Sequence, residues 1–142
     1  MIYLDNAATS FPKPKETIER LNGFITNIGG NPGRSGHSLS VEAARIIFDA
    51  REKLTGFING CDSERFIFTS NGTDSLNLAT LGLLNRGDHV ITTSMEHNSV
   101  MRPLMFLMKQ RGIELSVVQC DSCGRLDIDK LTGVIRKDTR AV

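Results

Sequence analysis

Apolar positions along the chain alternate between two spacings, and that alternation predicts its architecture. Apolar residues recur at Ala43, Ile47, Ala50, Leu54 and Phe57 in steps of four, three, four and three, which is one buried stripe of a helix. Residues 65–70 read RFIFTS, short and rich in β-formers, and predict a strand. Residues 71–74 can then open a helix that carries Leu76, Ala79, Thr80 and Leu83 on one side and stops at Arg86-Gly87-Asp88. The run HVITTS at 89–94 predicts a second strand. Residues 99–110 predict a helix in which Pro103 is tolerable only in the first turn. Residues 115–120 predict a third strand, 127–136 a further helix, and TRAV at 139–142 the opening of another strand. Strands alternating with helices imply an α/β fold with a mainly parallel sheet covered by helices.

The first third of the chain is organised differently. FPKP at 11–14 is a stiff turn, because each proline fixes φ, and residues 15–25 predict a helix. IGGNPGRSG at 28–36 holds four glycines and a proline, a long loop of the kind that often carries function. Ser38 or Ser40 can cap the helix that follows it.

Composition adds exclusions. The 142 residues are 39% hydrophobic and 23% charged, with a net charge of +1, which is globular rather than disordered. No block of charge gives nucleic acid or an anionic membrane an electrostatic handle. No apolar run approaches the ~20 residues of a membrane helix. The opening MIYLDNAATS lacks the basic and apolar regions of a secretory signal, so a cytoplasmic location is expected. Three cysteines, Cys61, Cys120 and Cys123, do not suggest a disulfide framework. Cys120 and Cys123 are spaced C-x-x-C, but no second pair completes a zinc site. Gly124 after them predicts a turn rather than a helix start.

Two clusters can carry chemistry. In Thr69 to Asn77, TSNGTDSLN, a strand runs through a small, hydroxyl-bearing turn into a helix N-terminus. Free backbone N–H groups and the helix dipole there can hold an anion, with Gly72 allowing close approach and Thr73 adding a hydroxyl; an ordinary capped helix start is the alternative. In TTSMEHNSV, 92–100, His97 just past a strand could stack on a ring, move protons or bind metal, or be a solvated loop histidine. No metal-binding histidine spacing, phosphate-binding P-loop, dinucleotide fingerprint or nucleophile elbow occurs.

Four segments taken in order reach further. YLDNAAT at 3–9, NPGRSGHSLS at 31–40, FTSNGTDSLNLA at 68–79 and ITTSMEHNSV at 91–100 resemble the amino-terminal part of class V aminotransferase-fold enzymes, specifically cysteine desulfurases and selenocysteine lyases. CDSCGRLD at 120–127 fits the same pattern. The resemblance implies a fold type I enzyme dependent on pyridoxal 5′-phosphate (PLP). Residues 1–37 would form an arm, a helix and a glycine-rich active-site loop, and 38–142 an incomplete, truncated cofactor-binding large domain. It implies that Gly72 and Thr73 bind the PLP phosphate, with Asp74 in place of the usual glutamate. His97 would stack on the pyridine ring and assist proton transfer as the catalytic residue. Asn6, Ala7 and Ala8 would lie near the amino-acid substrate, and Arg34 and His37 in a loop near the site and a homodimer interface. The implied activity converts L-cysteine to alanine, passing sulfur to an enzyme cysteine and onward to an acceptor protein. The cofactor lysine, the acid facing the pyridine nitrogen, the carboxylate-binding arginine and the sulfur-accepting cysteine match no residue of this chain. An amino-terminal fragment, inactive alone, is therefore expected. Another class V lyase or aminotransferase, or a non-catalytic domain that dimerises or binds an anion, are the alternatives.

Overall fold

A computed structural model describes residues 2–142. They form two compact units, one ending at Ile67 and one spanning Phe68–Val142.

In the first unit, the Tyr3 hydroxyl donates to the Thr9 carbonyl (2.8 Å), and the Asp5 carbonyl accepts from the N–H groups of Ala8 and Thr9. The segment YLDNAAT thus closes on itself. Helix α1 (Lys15–Gly23) continues into one wider turn, Phe24–Ile28, and so runs past the predicted end at residue 25. Gly29 ends it at φ +52°, donating to the Phe24 carbonyl. Gly30 lies so close to the next helix that a Cβ would stand 2.4 Å from the Leu39 carbonyl oxygen. This contact explains why glycine is needed in the loop.

Helix α2 (Ser38–Phe57) starts differently from expectation. Neither Ser38 nor Ser40 is its cap. His37 is, with Nδ1 accepting the Ser40 N–H at 3.2 Å. Ser40 is buried and turns its hydroxyl to the Asn31 carbonyl (2.7 Å), which pins the glycine-rich loop to the helix. The predicted buried stripe is only partly buried. Ala43 is covered, but Ile47, Leu54 and Phe57 are 36%, 39% and 85% exposed. Helical spacing makes a face, but burial requires a covering layer, and the buried residues of this helix are Ser40, Ala43 and Thr55.

RFIFTS is also corrected. Among the described residues, none of 65–70 belongs to a sheet ladder. Asp62 caps a single tight turn, Ser63–Arg65, and Phe66 is extended beyond it. β-forming composition favours an extended backbone, but that alone does not place a segment in a sheet.

The second unit is built as the alternation predicts. Strands β1 (His89–Thr93), β2 (Glu114–Val118) and β3 (Thr139–Ala141) form a parallel sheet of order β2-β1-β3. Val90 pairs with Leu115 and Thr93 with Val118. The central strand is buried at His89, Val90, Ile91 and Thr92 in an unbroken run, as a parallel strand between two neighbours should be. Helices α3 (Gly72–Leu83) and α4 (Asn98–Arg111) pack together. Leu84, Val90, Leu104, Leu107 and Ile113 form the core. Arg111 donates to the carbonyls of Leu81 and Leu84, tying the C-terminal end of α4 to that of α3. Gly112, at φ +62°, closes α4. Pro103 is the sixth residue of α4, past the first turn where it was expected. Burial of its ring accompanies the loss of the N–H that would reach the Ser99 carbonyl.

His89 is 1% exposed and spans the sheet. Its Nδ1 is 2.8 Å from Thr139 Oγ1 on β3, and its Nε2 2.8 Å from Ser116 Oγ on β2. One side chain thus cross-links all three strands.

Helix α5 (Ile128–Gly133) is shorter than the predicted 127–136. Asp127 caps it, accepting the Lys130 N–H at 3.1 Å. That backbone hydrogen bond, followed by the side-chain bond to Lys130, holds the Asp127 carboxyl below its ordinary value of 3.8. A carboxyl depressed in the folded state contributes stability above its unfolded value and loses it as pH falls through the folded one. We therefore expect α5 to fray selectively on acidification below about pH 4. The protection factor of the Lys130 amide should fall toward one, and Asp127→Asn should remove the pH dependence.

Candidate active site

Parallel strands place their carboxyl ends on one sheet edge, where open α/β folds collect ligands. The turn into α3 lies in this unit. Asn71 caps it, its Oδ1 accepting the Asp74 N–H at 2.9 Å. The Asp74 carboxylate turns back to the Ser70 N–H at 3.3 Å. The reciprocal arrangement satisfies the Asp74 donor and draws the acid toward the preceding residue. The N–H groups of Gly72 and Thr73 and the Thr73 hydroxyl find no partner among the described residues. A Cβ on Gly72 would meet nothing within 4 Å, so this side of the helix start is open. Orphan N–H groups at the positive end of a twelve-residue helix suit an anion.

The loop after β1 is held by the sheet. Ser94 N–H donates to the Val118 carbonyl (3.0 Å), and Ser94 Oγ accepts the Cys120 N–H (2.9 Å). His97 follows as the cap of α4. Its Nδ1 accepts the N–H of buried Ser99 at 3.1 Å, with Ser99 Oγ 2.9 Å away. A backbone N–H can only donate, so the neutral ring carries its proton on Nε2. Nε2 has no partner among the described residues and is available to a ligand.

Thr73 and His97 line one cleft of about 330 Å3, together with Asn77, Asn98, Ser99 and Arg102. Sequence reasoning missed the last four. A signal was present: Thr73 and Asn77 on α3, and Asn98 and Arg102 on α4, are polar pairs four residues apart, each on one helix face. Asn77 Nδ2 donates to the Thr73 carbonyl at 2.8 Å. The cleft therefore offers a hydroxyl, amides, an imidazole N–H and one guanidinium, a donor-rich lining with a positive charge. Glu96 is not among its residues.

The other sequence-predicted residues lie in the first unit. Asn6 Oδ1 accepts the Phe11 N–H at 3.1 Å, and the Ala8 N–H donates to the Asp5 carbonyl at 3.2 Å. Ala7 is exposed in the same turn, and Arg34 is exposed in the glycine-rich loop. His37 is the α2 cap described above. No group of three or more histidine, cysteine or acidic side chains is arranged for a metal among the described residues.

Residues 2–142 match the family model for aminotransferase class-V. The chain belongs to the class-V aminotransferase family. Among its relatives is the cysteine desulfurase IscS of Dictyoglomus turgidum, 41% identical over 97% of this chain and 35% of that protein. The cysteine desulfurase IscS 1 of Archaeoglobus fulgidus is 37% identical over 98% of this chain and 36% of that protein. Among solved structures, the apo cysteine desulfurase of Thermococcus onnurineus superposes with a TM-score of 0.86 at 34% identity, covering 97% of this chain and 34% of that one. The cysteine desulfurase CsdA of Escherichia coli gives 0.74 at 26% identity, covering 98% and 35%. The chain thus spans about a third of the length of the class-V relatives it matches. The α/β architecture with a parallel sheet is the one these structures share.

Proposed function

We propose that this class-V chain is the amino-terminal, cofactor-holding part of a PLP-dependent cysteine desulfurase. The observation that carries this reading is the cleft shared by Thr73, with an unspent hydroxyl and N–H, and His97, with an unspent Nε2. The residues fit the group. PLP has a phosphate for a helix N-terminus and a flat ring for an imidazole. When bound, it supplies an electron sink that labilises bonds at an amino acid's α-carbon.

Gly72 and Thr73 would hold the phosphate through two N–H groups and a hydroxyl, without spending a basic side chain. Asp74, drawn back to Ser70, keeps its charge directed away from that position. Arg102 adds positive charge to the same cleft. The His97 ring would lie against the pyridine, and its Nε2–H would donate a hydrogen bond toward the substrate where protons are exchanged. The Ser99 N–H on Nδ1 selects that tautomer and fixes the ring's direction. Asn6, Ala7, Ala8, Arg34 and His37, all in the first unit, would meet the amino-acid substrate, a role that rests on the resemblance to class-V enzymes. His37 has only Nε2 to offer, because Nδ1 is committed to Ser40. The substrate would be L-cysteine, the assembly a homodimer, the sulfur destination an acceptor protein and the setting the cytoplasm. No described helix is long and apolar enough to cross a membrane.

None of the lysines or cysteines here matches the motif for a cofactor lysine or a sulfur-accepting cysteine. The 142 residues alone are expected to release no sulfide from L-cysteine in the presence of PLP. Sulfide above a heat-treated control, abolished by an aldehyde trap, would overturn the assignment of the remaining machinery to residues outside this chain.

A further inference from the structure

Cys120 and Cys123 take no part in the cleft described above, yet their surroundings are built. Cys120 precedes a chain reversal after β2, and Cys123 lies within it. The Gly124 N–H donates to the Asp121 carbonyl, and the Asp121 N–H to the Arg125 carbonyl, each at 3.0 Å. Asp121 Oδ1 accepts the N–H groups of Cys123 and Arg125, both at 2.8 Å. Gly124, at φ +76°, completes the reversal. Four hydrogen bonds thus order the backbone that carries Cys120 just before the turn and Cys123 within it, which lowers the chain entropy still to be lost when their sulfurs meet. Both thiols are free, Cys123 exposed and Cys120 half-buried. Cys120 shares a cavity of about 260 Å3 with Asp121, Arg125, Asp127 and Lys130.

The turn also touches the loop that carries His97. The Cys120 N–H donates to Ser94 Oγ, and a Cβ on Gly124 would stand 3.5 Å from Met95 Cε. Movement of the turn is therefore felt two to three residues before His97.

We propose that Cys120 and Cys123 form a reversible dithiol–disulfide site that is set by low-molecular-weight disulfides and bears on the Ser94–His97 loop. The exposed Cys123 thiolate attacks one sulfur of glutathione disulfide and expels one glutathione thiolate, leaving a mixed disulfide. The Cys120 thiolate then attacks the Cys123 sulfur, forming the intramolecular S–S bond and expelling the second glutathione thiolate. Two protein thiols lose two electrons, one glutathione disulfide takes them up, and the two protons go to the released thiolates or to solvent. Excess reduced glutathione reverses both steps. This proposal does not depend on the PLP reading.

The test uses the whole chain carrying Cys61→Ser, which removes the third thiol from the first unit. The protein is equilibrated with glutathione redox buffers, quenched with an alkylating agent and analysed by peptide mass spectrometry. The ring-closed form should exceed the mixed disulfide by at least about ten to one at the oxidising end and revert at the reducing end. Cys120→Ser should instead trap glutathione on Cys123. In wild-type protein, closure should shift the NMR resonances of Ser94, Met95 and His97 while leaving those of Lys109 to Arg111, at the far end of α4, unmoved. Persistence of the mixed disulfide with Cys120 still alkylatable would overturn the proposal. So would a closed ring that leaves Ser94–His97 unshifted, because the site would then not bear on the loop.

Discussion

Replacing His89 by leucine should lower the unfolding free energy by about 2–3 kcal/mol, although the two side chains are of similar size. The imidazole satisfies two hydroxyls on opposite neighbours of the central strand, and it does so at 1% exposure. Leucine fills the space but accepts and donates nothing. Ser116 Oγ would then lose its partner beside the core, whereas Thr139 Oγ1 would keep the Arg136 N–H at 2.7 Å. This asymmetry limits the cost to the range given. It also predicts that Ser116→Ala in the His89→Leu background recovers part of the loss, because removing both partners is cheaper than removing one. Urea denaturation should show a lower midpoint with an unchanged slope. A surface control, Lys109→Ala, should stay within about 0.5 kcal/mol of wild type. A His89→Leu protein as stable as the control would show that the three-strand cross-link contributes nothing.

The second large effect concerns the proposed phosphate turn. Thr73→Ala should weaken binding of pyridoxine 5′-phosphate by about 5- to 30-fold, or 1–2 kcal/mol, the scale of a hydrogen bond to a charged acceptor. This probe has the ring and phosphate of PLP but no aldehyde to react with surface lysines. Thr73→Ser should retain most of the affinity because it keeps the hydroxyl. The Thr73 side chain makes no hydrogen bond among the described residues, so its loss should not unfold the helix. Calorimetry separates the two effects, with affinity falling and Tm unchanged. Equal binding by all three proteins would assign the phosphate elsewhere.

The parts of the fold set by short-range rules were legible in the sequence. The turn into α3, the strand at His89–Thr93 and the helix after His97 follow from local apolar spacing and capping residues, and they lie where expected. His97 lies just past the carboxyl end of β1 as parallel strands imply, and it lines one cleft with Thr73, although the segment before Thr73 is not in the sheet. What failed depends on partners distant in sequence. RFIFTS has strand composition but no ladder, and the α2 stripe has helical spacing but little cover. His37 rather than a serine caps α2 because the Ser40 hydroxyl is drawn nine residues back to Asn31. His89 drew no notice, because nothing local shows that Ser116 and Thr139 will flank it. Arg102 and Asn77 join the cleft only through the packing of α3 on α4, which periodicity alone does not orient.

The central claim is that the α3 turn and His97 serve one phosphorylated pyridine ligand. The most direct measurement is an NMR titration of the labelled chain with pyridoxine 5′-phosphate and, in parallel, with pyridoxine and with inorganic phosphate. The account predicts saturable shifts of the Gly72 and Thr73 amides with either phosphate-bearing ligand, and of the His97 ring protons only where the pyridine is present. The phosphorylated pyridine should move both sets with a single affinity. Shifts of His97 and of the Gly72–Thr73 amides that saturate at different concentrations, or amides that do not respond to phosphate at all, would contradict it.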